Sequence, residues 1–236
     1  MNNEEFLDCI KKAFVRFLET GSRSNEKLKI LYGAIAKDLY QQLGKNYIVQ
    51  ALGHDKGKEG IINGRYINKA VDITILNEDR QLAGIAVKFV MQNYAQNANN
   101  YFENMLGETA NIQSLHIPYF QIFIIPEKLP YYKQNGKFDK WEYFSAAHRR
   151  KYQILSTDHC AAWVHTPAKT LLYVIKFPEI ENPENKPDYI NKYQELNEAN
   201  GLNIYTASIA EPFGPGLICN DYETFMQKII HRIMSE

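Results

Sequence analysis

The chain has 236 residues, 45% of them hydrophobic and 23% charged, and its 27 basic and 27 acidic side chains cancel. This is the composition of an ordinary soluble globular protein; its global field announces no nucleic-acid partner, while a neutral total leaves room for a basic cleft on one face. Cys9, Cys160 and Cys219 are odd in number and widely spaced, which excludes a disulfide framework or a CxxC metal pair.

No apolar run approaches the roughly 20 residues of a membrane span. The opening MNNEEFLDCIKKAF is an acidic amphipathic stretch without the basic and apolar regions of a signal peptide. The expectation is a protein of the reducing cytoplasm with no membrane partner.

Residues 3–19 and 25–43 read as helices, separated by TGSRSN, which stops the first and supplies caps for the second. Residues 47–53 read as a strand, followed by the loop HDKGKEGIINGRY. KAVDITIL (69–76) and LAGIAVKF (82–89) read as strands joined by a turn, and a helix over 95–113 leads to the apolar strand YFQIFIIP (119–126). The first half is therefore α-β-β-β-α-β. Beyond it the pattern predicts a helix at 142–155, strands near 161–166 and 170–177, and a Pro/Asn-rich loop at 178–188. A helix at 189–199, a strand at 202–209, the breaker EPFGPG and a helix at 221–234 complete the chain. We expect one α/β domain over 1–236 with a mixed central sheet, a core at 25–126 and a C-terminal elaboration at 127–236.

Strand alternation puts Ala70, Asp72 and Thr74 on one face, with Val71, Ile73 and Ile75 on the other. On the next strand Gly84, Ala86 and Lys88 share a face. Hairpin pairing would bring Asp72 to the same side as positions 86 and 88.

Asp72, a connection of about a dozen residues, and a strand ending x-Val-Lys in this element order resemble the PD-(D/E)XK nucleases, the restriction-endonuclease-like fold. The resemblance covers roughly 25–126. It implies Mg²⁺ held by oxygen ligands, with Asp72 and the Val87 carbonyl as metal ligands and Lys88 as the catalytic lysine. Such a site neutralises developing charge and activates a water. Ala86 departs from the family pattern, which has an acidic residue there. Three readings stand: a deliberate Glu→Ala change that permits binding without cutting, a carboxylate relocated to a neighbouring element, or an inactive homologue or false motif. As it stands, the chain is expected to cleave poorly or not at all.

Other residues join this expectation. Asp38 falls inside the apolar arc of helix 25–43, where a carboxylate is costly unless paired or coordinating, and is a candidate at the mouth of the site. In the helix after Lys88, Ala98, Phe102, Met105, Thr109 and Ile112 form a packing stripe. Beside it run Asn97, Tyr101, Asn104, Glu108 and Asn111 at spacings of four, three, four and three, a face suited to base edges or a polar interface. Arg23 with Lys27, then Lys56, Lys58 and Arg65, are candidates for DNA-backbone contact. GHDKGKEG fails the P-loop spacing, and His159, Cys160 and His165 lack the second ligand pair of a zinc site.

The resemblance thus implies a Mg²⁺-dependent nuclease for double-stranded DNA, of the type II restriction class, acting as a homodimer. A nonspecific DNase effector of phage defence and a non-catalytic nucleic-acid-binding module with a degenerate nuclease core are the alternatives.

Overall fold

The computed structural model describes residues 1–21 and 23–235. Two helices open the chain, α1 (Asn3–Thr20) and α2 (Glu26–Leu43). Asn2 and Glu5 form a capping box at the start of α1, and Gly21, at φ +77°, ends it by adopting a left-handed backbone that other residues resist. Ser22 of the expected break lies outside the described residues. Strands β1 (Ile48–Ala51), β2 (Gly60–Asn63), β3 (Asn68–Val71), β4 (Ile73–Asn77) and β5 (Arg80–Phe89) follow. Then come α3 (Tyr94–Gln113), β6 (Tyr119–Pro126), β7 (Lys128–Tyr132), β8 (Phe138–Tyr143), α4 (Ala146–Thr157) and β9 (Lys169–Lys176). The chain finishes with α5 (Lys186–Glu198), β10 (Tyr205–Thr206), β11 (Leu217–Cys219) and α6 (Tyr222–Met234).

The main sheet runs β1-β4-β5-β6-β9-β10, with β11 also paired to β9. β4 is antiparallel to both its neighbours, β1 and β5, whereas β5, β6 and β9 are parallel, the crossover between β5 and β6 being helix α3. Along α2-β1-β4-β5-α3-β6 the expected α-β-β-β-α-β order holds, in an α/β fold with a mixed central sheet.

Both faces of this sheet are covered, and the sequence of β6 shows why. Phe120, Ile122 and Ile124 enter the core formed with α1, α2, α5 and α6, while Phe123 and Ile125 enter the one formed with α3 and α4. A strand buried on both faces calls for apolar residues along nearly its whole length, and all of β6 is buried, with Gln121 its one amide. The α2 layer also docks tightly at its start. A Cβ added to Gly53 would lie 2.2 Å from the Lys29 carbonyl oxygen, so only glycine fits there.

Several expectations fail. Residues 161–166 form turns, not a strand; the segment 202–209 keeps only the two-residue β10; and the helix expected at 142–155 starts at Ala146. The expected loop at 178–188 already gives way to α5 at Lys186, and residues 128–143, not assigned to strands, form the β7–β8 hairpin. The loop after β1 contains β2, which pairs with β3 as a separate small sheet. The expected strand 69–76 is consequently two strands, broken at Asp72. Its face assignment fails with it: Val71 packs with Ile112 and Tyr119, whereas Ile73 and Ile75 join the core against α2.

Candidate active site

The site is built at Asp72, where the chain passes from the small hairpin into the main sheet. Val71 is the last residue paired in β3, opposite Gly60, and Ile73 is the first in β4, opposite Ile85. Because β4 begins there, β5 runs on past it with one edge unpaired. Asp72 fills the gap: its Oδ2 accepts a hydrogen bond from the Val87 N–H at 2.7 Å. At the same edge the Val87 carbonyl accepts one from the Tyr32 hydroxyl of α2 at 3.2 Å. A strand that continued through position 72 would have consumed both backbone groups in the ladder.

A cavity of about 240 Å³ opens beside this edge. Asp72, Ala86, Val87 and Lys88 line it together with Tyr101, Asn104 and Glu108 of α3, Lys69 of β3 and Gln121 of β6. The Asp72–Lys88 juxtaposition expected from alternation is therefore present, and so is the contribution of the polar face of α3. The Lys88 ammonium lies 4.2 Å from the centroid of the Tyr101 ring, a cation–π distance. Lys69 and Glu108 form an ion pair at 2.6 Å, and the Tyr119 hydroxyl donates to the other Glu108 oxygen at 3.4 Å.

The electrostatics of this cavity favour neutral forms. Burial pushes the Asp72 carboxyl up to about 6; the Val87 N–H opposes the shift, and the charges of Glu59 and Glu108 add to it. Burial also depresses Lys88, against the pull of Asp72 and Glu108. Tyr32 is raised far above the ordinary phenol value, first by burial and then by Asp72 and Glu59. A carboxyl raised and an ammonium lowered by burial in one cleft are features of reactive sites.

Gln121 carries a further signal. It is 3% exposed, and its Nε2 has no hydrogen-bond partner. In the parallel register of β5 and β6 it is the direct neighbour of Ala86, so the two side chains stand side by side on one face. An orphaned amide donor next to a methyl group is an expensive arrangement, and a carboxylate at position 86 is the acceptor that would relieve it.

The donor set bears directly on Mg²⁺. Among the described residues no group of three or more His, Cys, Asp or Glu side chains is placed to hold a metal ion. Glu108 is engaged by Lys69 and Tyr119, and the Val87 carbonyl by Tyr32. With alanine at 86, Asp72 is the one acidic side chain on the strand edge, and these residues do not fit a firmly held Mg²⁺.

Asp38 is not part of the site. It is 4% exposed and faces α1 and α6, where its carboxylate accepts from the Met1 amino group at 2.6 Å, the Tyr222 hydroxyl at 2.9 Å and Gln42 Nε2 at 3.0 Å. Its place on the buried arc of α2 was legible in the sequence; the surface that arc meets was not. Asn97 lies outside the cavity lining and donates to the Asn93 carbonyl at 3.1 Å. Asn111 is buried, holding the 65–67 turn through bonds to Tyr66 and Ile67. Arg23 and Lys27 sit at the α1–α2 turn near Lys186, away from the cavity lining. Lys56, Lys58 and Arg65 are exposed; Lys56 and Lys58 precede the hairpin that brings Lys69 to the cavity, and Arg65 lies in its turn.

Tyr32, Lys69 and Gln121 were missed as site residues. Gln121 was recognisable as the one amide in an otherwise apolar strand, while Tyr32 and Lys69 carry no local mark. Among the described residues no helix is long and apolar enough to cross a membrane. Comparison with protein-family models, with curated proteins and with solved structures returned no match.

Proposed function

We propose that this chain has the architecture of a Mg²⁺-dependent endonuclease of the PD-(D/E)XK type acting on double-stranded DNA, with a catalytic site disabled at Ala86. The observation that carries the reading is the unsatisfied Gln121 amide beside Ala86, in the cavity that Asp72 and Lys88 share. A glutamate at 86 would give that amide its acceptor and give Asp72 the second carboxylate it lacks.

In such a form Asp72, the Val87 carbonyl and the side chain at 86 would hold Mg²⁺, which supplies charge neutralisation and water activation when bound. Lys88, held over Tyr101 and partly desolvated, would stabilise the charge developing on the phosphate or orient the water. Lys56, Lys58 and Arg65 would contact the DNA backbone, and Asn104 with Tyr101 would present polar groups at the cavity rim. A homodimer cutting a specific site, in the manner of type II restriction enzymes, suits the size of the domain.

The test compares the present chain with Ala86→Glu on mixed-sequence duplex DNA with Mg²⁺. Discrete fragments from Ala86→Glu alone support a site-specific nuclease, and a smear supports the nonspecific effector. Cleavage by the present chain that is lost in Glu108→Gln would identify Glu108 as a relocated carboxylate. The missing metal donors favour one other reading, a non-catalytic DNA-binding module. DNA binding by both forms with cutting by neither would establish it.

A further inference from the structure

A second cleft lies on the other side of β6. It has a volume of about 550 Å³ and is enclosed by the C-terminal turn of α3, the turns at 159–164, the start of β9 and the last turns of α6. β6 separates the two cavities by alternation: Tyr119, Gln121 and Phe123 face the Asp72 cavity, and Phe120 faces this one.

Its lining divides into two parts. Ile117 and Val164 give an apolar floor, backed by the buried Pro118 and Phe120. Around it stand Lys169, Lys228 and Arg232 together with His116, His159 and His231, which is half of the six histidines in the chain. Among the described residues no Asp or Glu lines the cleft. In a chain whose charges balance overall, that is a local separation of charge. The dipole of α6 explains part of it, since His231 and Arg232 lie in its last turn. It does not explain Lys169, His116 or His159, which come from other elements.

The cleft is held open by the fold. Gln113 donates to the Val164 and Thr166 carbonyls at 3.0 and 2.7 Å, pinning the 159–166 turns against α3. Lys169 donates to the Pro215 carbonyl at 2.6 Å, which fixes its ammonium at the wall. Burial, and after it the neighbouring charge of Lys228, depress Lys169.

We infer that this cleft binds a mononucleotide, with the base on the apolar surface of Ile117 and Val164 and the phosphate on Lys169 and Lys228. The volume lies in the range of small-ligand sites, roughly 300–1,000 Å³, and an apolar floor with convergent cations matches a ligand that is flat at one end and anionic at the other. A phosphodiester strand alone has no need of the floor, and free phosphate does not fill it. The site is independent of the nuclease reading.

The experiment is calorimetric titration of the whole chain with deoxyadenosine monophosphate, deoxyadenosine, inorganic phosphate and a short DNA duplex. The expected result is saturable one-to-one binding of the monophosphate, at least ten-fold tighter than the nucleoside or phosphate and not displaced by the duplex. Lys228→Glu and Val164→Glu, both at exposed positions, should each weaken it ten-fold or more while leaving the thermal midpoint unchanged. Asp72→Asn should bind as the parent does. Absence of binding, binding unaffected by both cleft variants, or displacement by the duplex overturns the assignment, the last in favour of a nucleic-acid surface.

Discussion

Asp38 and Asp72 are both carboxylates withdrawn from water, the first on α2 and the second beside Tyr32 of the same helix, and their surroundings differ in kind. Around Asp38 an amino group, a phenol and an amide donate at 2.6 to 3.0 Å, joining α1, α2 and α6. Around Asp72 one backbone N–H donates at 2.7 Å with the Tyr32 phenol in support, and the nearby charges include Glu59 and Glu108. A buried charge whose acceptors are filled holds a fold together. One left short of donors beside an open cavity costs stability and is available for something else.

Breaking the first of these regions should have the largest effect. Asp38→Ala leaves three donors facing a void, and urea unfolding should show a loss of about 3 kcal/mol. Next is the staple that holds the hairpin over the site. Asn111 bonds the backbone of Tyr66 and Ile67 at 2.9 to 3.3 Å, so Asn111→Ala should cost about 2 kcal/mol and speed amide exchange at 65–67.

Asp72→Asn should act in the opposite direction to the Asp38 change. With a folded pKa of about 6 against an ordinary 3.8, the native state holds the proton more tightly than the unfolded chain does. Stability therefore falls as pH rises between those values, and the loss is complete above the folded pKa. Removing the charge should raise stability by about 1–2 kcal/mol at neutral pH, after allowance for partial exposure to the cavity, and give no such gain in acid. Denaturation midpoints of the parent and variant that stay parallel from acid to neutral pH would contradict this contrast.

The smallest effect sharpens the picture of the strand edge. Tyr32→Phe removes the donor to the Val87 carbonyl and should cost about 1 kcal/mol. Tyr32 also helps the Asp72 carboxylate, so its loss should move the Asp72 titration higher, readable by carbon NMR of the carboxyl.

Much of this site was legible in the chain. Period-two alternation put Gly84, Ala86 and Lys88 on one face, and helical spacing put Tyr101, Asn104 and Glu108 on another, because those periods are properties of the backbone. The break at Asp72 was not legible. KAVDITIL alternates without interruption, and only the pairing of Val71 with Gly60 and Ile73 with Ile85 shows that it serves two sheets. Residues 161–166 failed for the converse reason: an apolar stretch resembles a strand until it is seen to have no strand partner.

By itself, then, the sequence determined the α/β class, the order α-β-β-β-α-β, the buried character of β6 and the nearness of Asp72 to Lys88, all of which follow from local periodicity and turn chemistry. Tertiary structure alone decided that Asp38 is a structural knot, that Gln121 lies unpaired beside Ala86, and that half the histidines gather in one cleft. Those outcomes depend on which distant surfaces meet, and a side chain's partners, unlike its face, are set by the packing of the whole chain.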